Sequence, residues 1–180
     1  MNSDPPAHAP EILLTARKFR VERRRVPDPA GRILEREVVA HPGAVVILPL
    51  LDSETVVMIR NRRFAAGRTL LELPAGTLEA DEPPGDCAAR ELAEETGYQA
   101  GRIEPLMEFY TSPGVLTERM FAFIARDLVA VGQQLEADEQ IEVEPVRWDR
   151  IRQLLTDAKL LDGKTIAVLG TYLLQQGQKG

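Results

Sequence analysis

The sequence is poor in cysteine and has no long apolar run. Its single cysteine, Cys87, forms no disulfide within the chain, which agrees with a reducing compartment. No segment approaches the ~20 apolar residues that a membrane-spanning helix needs. Residues 1–10 are polar and proline-rich, without the apolar centre of a secretion signal. We therefore expect a cytoplasmic protein that makes no membrane contact, with a disordered tail at residues 1–10.

The sequence also lacks an excess of basic residues. Lys and Arg together number 22, against 28 Asp and Glu, so the net charge is −6. Without an overall positive field, we expect no nucleic-acid polymer as a partner. An acidic protein that handles an anionic substrate needs local positive charge, which metal ions and a few arginines supply. The length of 180 residues suffices for one domain with a sizeable core.

The most informative segment covers residues 76–98. Three glutamates, Glu91, Glu94 and Glu95, fall within five residues of each other. On a helix, spacings of three and four residues place them on one face, where like charges repel. Such a face is either a solvated acidic surface or a set of hard oxygen ligands for a divalent cation such as Mg²⁺.

The same segment contains signals for both ends of a helix. Pro83 and Pro84 suit a first turn, because the N–H group that proline lacks is unpaired there in any helix. Gly97 suits the left-handed residue that follows the last turn. The side expected to pack against the protein consists of Ala88, Ala89, Leu92 and Ala93.

The full spacing resembles the Nudix box in every defined position. It reads Gly76, five residues, Glu82, seven residues, and then Arg90-Glu91-Leu92-x-Glu94-Glu95-x-Gly97-Tyr98. Seven positions require one residue type, so a chance match at a given start is on the order of 20⁻⁷. The resemblance implies a loop–helix–loop that holds Mg²⁺ or Mn²⁺ against a diphosphate. Family members hydrolyse nucleoside diphosphates linked to another moiety.

The resemblance implies a role for each residue of the box. Arg90 would orient a glutamate through charge-assisted hydrogen bonds, and Glu82 would reach back toward the same cluster. The implied metal ligands are Glu91, Glu95, the carbonyl of Ala75 and, directly or through water, Glu94.

Segments outside the box resemble the ADP-ribose pyrophosphatase branch of this family. Glu72 opens a Glu-Leu-Pro-Ala-Gly segment and either contacts the sugar of the substrate or anchors the loop. Pro113 lies fifteen residues past Tyr98, where a proline is typical of the ADP-ribose group. Tyr110, twelve residues past, fits the dinucleoside polyphosphate group less well. Glu118, at the start of the next expected strand, is a further candidate for contacting the substrate.

A basic segment follows the second buried strand. Its sequence Arg60-Asn61-Arg62-Arg63 departs in the middle from the branch pattern Arg-Gln-Tyr-Arg, but Arg63 matches the last arginine. Arg63 is therefore our candidate for the cationic substrate contact. The alternative is a salt bridge at the rim of the domain.

The general base is expected on an acidic loop covering residues 133–140. In relatives, a glutamate in a context like Asp-Glu-x-Ile-Glu-Val has this role, and Glu139 matches it. Glu142 and Glu136 are the alternatives, and without the box a solvated acidic loop would be the default. Closure of such a loop brings the base to the metal site only when substrate is present.

The expected fold class is α/β, an α/β/α sandwich with a mixed sheet, preceded by antiparallel strands. Residues 11–40 would form N-terminal strands that pair two subunits into a homodimer, and residues 41–180 the Nudix domain. Residues 11–18 are ambiguous. The expected strands are 19–26, 33–39, 43–51, 56–59, 103–110, 118–125 and 141–146; Trp148, Ile151, Leu154 and Leu155 indicate one helix, and 166–174 a terminal one.

The resulting functional hypothesis is metal-dependent hydrolysis of ADP-ribose to AMP and ribose 5-phosphate. The alternatives are a related nucleoside diphosphate sugar, such as GDP-mannose, and a binding module that has lost catalysis. The intact set of glutamates argues against the last, because loss of activity usually removes ligands.

Overall fold

The computed structural model describes residues 9–135 and 140–178. Three sheets and three helices make up this part of the chain. Its elements are β1 Glu11–Thr15, β2 Arg20–Pro27, β3 Ile33–Ala40, β4 Ala44–Pro49, β5 Thr55–Arg63, β6 Arg68–Glu72, β7 Ala75–Thr77, α1 Pro84–Thr96, β8 Tyr98–Tyr110, β9 Arg119–Ala130, β10 Ile141–Arg147, α2 Trp148–Thr156 and α3 Gly163–Gly177. No helix within these residues is both long enough and apolar enough to cross a bilayer.

The central strand is β4, and every one of its residues is buried. It pairs parallel with β9 and antiparallel with β7, in the sheet order β7-β4-β9-β8. An unbroken apolar run suits a strand that is covered on both faces. The predicted α/β fold with a mixed sheet is confirmed.

Helices cover both faces of this mixed sheet. Because successive side chains of a strand point to opposite faces, Val45 and Ile47 pack with α1, whereas Val46 and Leu48 pack with α2 and α3. The packed side of α1 includes Cys87, Ala88 and Leu92. Ala89 was wrongly predicted to pack: it is exposed, at the margin of a buried arc that instead includes Glu95.

Several strands are longer than the apolar pattern predicts. β8 begins at Tyr98 and not at residue 103, because it pairs with β9 from Tyr98↔Ala130 to Tyr110↔Arg119. The paired residues of β8 thus include polar ones, which the hydrophobic pattern alone does not assign to a strand. Likewise, β5 continues beyond residue 59 to Arg63, where it forms a hairpin with β6 in the antiparallel sheet β10-β5-β6.

The N-terminal strands form a separate antiparallel sheet, β1-β2-β3, as predicted for β2 and β3. The ambiguous residues 11–18 contribute β1 to it. Its attachment to the rest of the protein includes Val39 of β3, whose backbone forms hydrogen bonds with Val115 at 2.8 Å and with Thr117 at 3.0 Å.

The two C-terminal helices lie where the sequence predicts them. α3 starts at Gly163, three residues before the expected start, because the Asp162 side chain accepts a hydrogen bond from the Thr165 backbone N–H and caps the helix. The ring of Trp148 packs against the core and stacks on Tyr172 at 5.3 Å between centroids.

Candidate active site

The box helix α1 is fixed at its C-terminal end by Gly97. This residue has a φ of 71°, in the left-handed region that glycine adopts without strain. A Cβ there would lie 2.8 Å from the backbone nitrogen of Gln133. The Gln133 side chain also donates to the carbonyl of Glu95 at 2.6 Å, and the Gln134 N–H donates to the carbonyl of Glu94 at 3.0 Å. The segment after β9 therefore caps the carbonyls at the end of the acidic helix.

The three glutamates of α1 occupy different environments. Glu95 is only 3% exposed, and its carboxylate accepts a hydrogen bond from the Ala75 N–H at 2.9 Å. The Glu91 side chain is 12% exposed and that of Glu94 39%. The acidic face is therefore not simply solvated. It runs from a buried carboxylate against β7 to a carboxylate at the surface.

Gly76 brings the backbone of β7 directly against Glu91. A Cβ at this position would lie 1.8 Å from the carboxyl carbon of Glu91. Because glycine has no side chain, Glu91 occupies the space beside the strand. Ala75, the preceding residue, bonds Glu95 on the same side of the helix. The glycine and two glutamates of the motif are thus one packed unit.

Arg90 joins the carboxylates of the box. Its guanidinium donates to Glu82 at 2.8 and 3.0 Å, to Glu91 at 2.8 Å and to Glu94 at 3.0 Å. The hydrogen bond to Glu82 is the main reason that the pKa of Arg90 is raised. The same bond lowers the pKa of Glu82 to about 2. Arg90 therefore remains charged and offsets the repulsion among the acids.

The donor set of this site suits a divalent cation. Its carboxylates and the Ala75 carbonyl are hard oxygen ligands, which Mg²⁺ and similar ions prefer. Among the described residues, no three His, Cys, Asp or Glu side chains form a ready cage. Arg90 engages Glu91 and Glu94 instead. The site therefore fits an ion that keeps part of its water shell and takes further oxygens from a phosphate.

A second charged cluster involves the C-terminal end of β6. Glu72 is fully buried and accepts two hydrogen bonds from Arg63, at 2.9 and 2.7 Å, and one from Lys164. Lys164 also pairs with Asp162 at 2.8 Å. Asp162 in turn accepts from the hydroxyl of Thr165 at 2.5 Å. We call these residues, Arg63, Glu72, Lys164, Asp162 and Thr165, the Glu72 cluster.

The Glu72 cluster is joined to the segment that leads into the box. The Leu73 N–H donates to the hydroxyl of Thr165 at 2.8 Å. Burial lowers the pKa of Arg63, but the hydrogen bond and charge of Glu72, together with the charge of Glu95, raise it overall. Lys164 was not among the site residues predicted from the sequence. The sequence feature that could have indicated it is the position of this lysine, two residues after Asp162, the aspartate that caps α3.

The remaining candidates are not members of these two clusters. Pro113 and Glu118 belong to the loop between β8 and β9, where Glu118 accepts from the Thr111 hydroxyl at 2.6 Å and lies 3.6 Å from His41. This loop packs against β3. Glu139 and the alternative Glu136 lie outside the described residues.

Comparison with known proteins agrees with the box geometry. The NUDIX domain model matches residues 40–169. An ADP-ribose pyrophosphatase of Bacillus subtilis (strain 168) is 39% identical over 139 residues, covering 76% of this chain and 75% of the relative. A methanol dehydrogenase activator of Bacillus methanolicus is 32% identical over 173 residues, covering 94% and 92%. A GDP-mannose pyrophosphatase of Salmonella typhimurium is 35% identical over 137 residues, covering 71% of each chain.

A solved structure described as an ADP compounds hydrolase has the same fold. It superposes with a TM-score of 0.78 at 25% identity and covers 96% of this chain and 94% of its own. The family match spans most of the chain, and the residues that define the motif form one packed cluster on α1 and β7. The chain therefore belongs to the Nudix hydrolase family, whose members generally need a divalent metal ion.

Proposed function

We propose that this enzyme hydrolyses the diphosphate of ADP-ribose. The oxygen of water forms a new bond to one phosphorus, the bridging P–O bond breaks, and AMP and ribose 5-phosphate leave. The observation that carries the proposal is the packed unit of Gly76, Glu91 and Glu95 beside the Glu72 cluster. Its substrate follows the relatives named ADP-ribose pyrophosphatase and ADP compounds hydrolase.

The metal we propose is Mg²⁺, with Mn²⁺ as the alternative. Its ligands would be Glu91, Glu95, the Ala75 carbonyl and, directly or through water, Glu94. When bound, the ion neutralises the diphosphate and activates a water molecule. Arg90 holds the orientation of Glu91 and Glu94 through the hydrogen bonds described above.

The protein groups that we assign to the substrate are Arg63, Pro113 and Glu118, with Glu139 as the general base. Arg63 has five N–H donors, of which Glu72 engages two. The others can donate to phosphate oxygens. Because Glu72 is fully buried and bonded to two cations, we assign it the anchoring role and not the sugar contact.

We also propose that the enzyme is a cytoplasmic homodimer. The N-terminal sheet, which covers residues 11–40, exposes Ile12, Leu14 and Ile33 by about half of their surfaces (48, 54 and 52%). Ile12 and Leu14 lie on the edge strand β1, where exposed apolar side chains favour a protein partner, and a second copy of residues 11–40 is our proposed partner. Sedimentation of the full chain should give about twice the mass of 20.0 kDa; a single-chain mass would contradict the dimer.

The Gly76→Ala substitution tests the packed unit of the box. The added methyl group forces the Glu91 carboxylate away from β7 and from Arg90, so turnover should fall about 10- to 100-fold, as for disturbed metal-ligand orientation. Stability should change by less than about 1 kcal/mol, because the tip of Glu91 can move. Gly170→Ala is the matched control: its Cβ meets nothing within 4 Å, and turnover should not change. Equal turnover in both variants would contradict the proposed site.

The relative named GDP-mannose pyrophosphatase supports a second candidate substrate. The metal chemistry would be identical, and only the selectivity would differ. A third possibility is a module that binds ADP-ribose tightly without hydrolysing it.

A substrate panel with Mg²⁺ tests all three functions. It contains ADP-ribose, GDP-mannose, FAD, diadenosine polyphosphates and coenzyme A, and turnover is measured as phosphate released after phosphatase treatment. We expect the highest kcat/KM for ADP-ribose. A higher value for another diphosphate would overturn the substrate assignment but not the box mechanism. Tight binding of ADP-ribose without turnover would favour the module.

A further inference from the structure

Lys164 occupies an unusual position for a lysine. Its side chain is only 12% exposed and is held between two carboxylates, the fully buried Glu72 and the mostly buried Asp162. A lysine side chain normally keeps its ammonium group in water. The role of a buried lysine therefore follows from the groups that it bonds. One of these groups, Glu72, also bonds Arg63.

The charges of the Glu72 cluster balance only when Lys164 is present. Arg63 and Lys164 contribute two positive charges, and Glu72 and Asp162 contribute two negative charges. Removal of Lys164 leaves a net charge of −1 in a partly desolvated cluster. This excess negative charge would draw Arg63 more strongly to Glu72 and would also repel an anionic diphosphate.

Lys164 and Arg63 are connected through one carboxylate, that of Glu72. Arg63 donates to both carboxylate oxygens of Glu72, and Lys164 donates to Oε2, one of the same two atoms. The orientation of that carboxylate therefore depends on both cations. Lys164 is itself fixed at the first turn of α3, where Asp162 caps the helix.

We propose that Lys164 is a positioning residue, which orients Glu72 so that Arg63 presents its remaining N–H donors to the diphosphate. The inference rests on the proposed function of Arg63 as a phosphate contact. Lys164 does not touch the substrate. Its contribution is to binding, because it sets the direction and the effective charge of a group that binds.

The first test is the Lys164→Met variant, assayed for hydrolysis of ADP-ribose with Mg²⁺. KM should rise by at least about tenfold, as expected when one partner of a buried charge pair is removed, while kcat stays within about threefold. Lys164→Gln should give the same rise and serves if the Met variant does not fold. Lys164→Arg restores the charge and should return KM to within about threefold of the original enzyme.

A double-mutant cycle distinguishes positioning from a general structural role. In an Arg63→Ala background, Lys164→Gln should change KM by less than about twofold, because the group that Lys164 orients is gone. The matched control is Lys159→Gln, a surface lysine paired with Asp157 at 3.0 Å. It should leave KM and Tm unchanged in both backgrounds.

The possible outcomes separate this inference from the proposed function. Equal effects of Lys164→Gln with and without Arg63, or a fall in kcat at constant KM, would overturn the positioning role while the enzyme remains active. If the original chain binds ADP-ribose without turnover, the proposed function fails. The same cycle is then measured by calorimetry as Kd, and coupling there still supports the positioning role. Absence of both binding and turnover would overturn both.

Discussion

The Glu95→Gln variant is expected to lose about 10²- to 10³-fold in kcat while folding normally. A bound metal ion contributes several kcal/mol to the stabilisation of the transition state, and each 1.36 kcal/mol corresponds to about a factor of ten in rate. Glu95 is the most buried carboxylate of the box, at 3% exposure. Replacement by glutamine removes its charge at nearly constant shape.

The same substitution preserves the hydrogen bond between Ala75 and the side chain at position 95. The amide oxygen of glutamine still accepts from the Ala75 N–H, as the carboxylate does at 2.9 Å. Tm should therefore change by only a few degrees, and loss of activity should not reflect unfolding. Glu94→Gln, at a side chain 39% exposed, should lose less, and Glu54→Gln, in a distant exposed turn, should lose nothing. Undiminished turnover of Glu95→Gln with Mg²⁺ would refute the metal-site assignment.

The Glu139→Gln variant is expected to lower kcat by about 10² to 10⁴, the usual contribution of a general base. Glu139 lies outside the described residues, so the assignment rests on the motif that surrounds it. The described strand β10 follows directly, with Ile141 paired to Asn61 and Glu142 paired to Arg60 of β5. The measurement is single-turnover hydrolysis at saturating Mg²⁺, which isolates the chemical step.

Glu142→Gln provides the matched control for this prediction. Side chains alternate along a strand, and Ile141 is buried whereas Glu142 is exposed. Glu142 therefore points to the face of β10 opposite Ile141, the face that Arg60 shares, and its substitution should have little effect. A loss below tenfold in Glu139→Gln would count against this base. A large loss in Glu142→Gln would transfer the role to that residue.

The box could be predicted from the sequence because its chemistry requires close spacing. Glu91, Glu94 and Glu95 lie on adjacent turns of one helix, so their order in the chain determines their geometry. The ends of that helix were predictable for a similar reason, since Pro84 and Gly97 act locally. The same motif also predicts that Gly76 lies close to Glu91, but it does not predict the distance between them.

Features that depend on distant partners could not be predicted in this way. The polar start of β8 is a strand only because β9 pairs with it. Ala89 is exposed because the buried arc of α1 turns toward Glu95, and hydropathy does not predict burial of a glutamate. Lys164 was not recognised because Glu72, its partner, lies 92 residues earlier in the chain.

The bond between Leu73 and Thr165 has a consequence for synthesis on the ribosome. These residues are 92 positions apart, and chains grow at about 5–20 residues per second. Leu73, which leads into the box, is therefore synthesised roughly 5 to 18 s before Thr165, whose hydroxyl accepts its hydrogen bond. Residues 84–96, which form the acidic helix α1, are synthesised during this interval. The segment that leads into the proposed metal site therefore gains this contact only after the first turn of α3 has been synthesised.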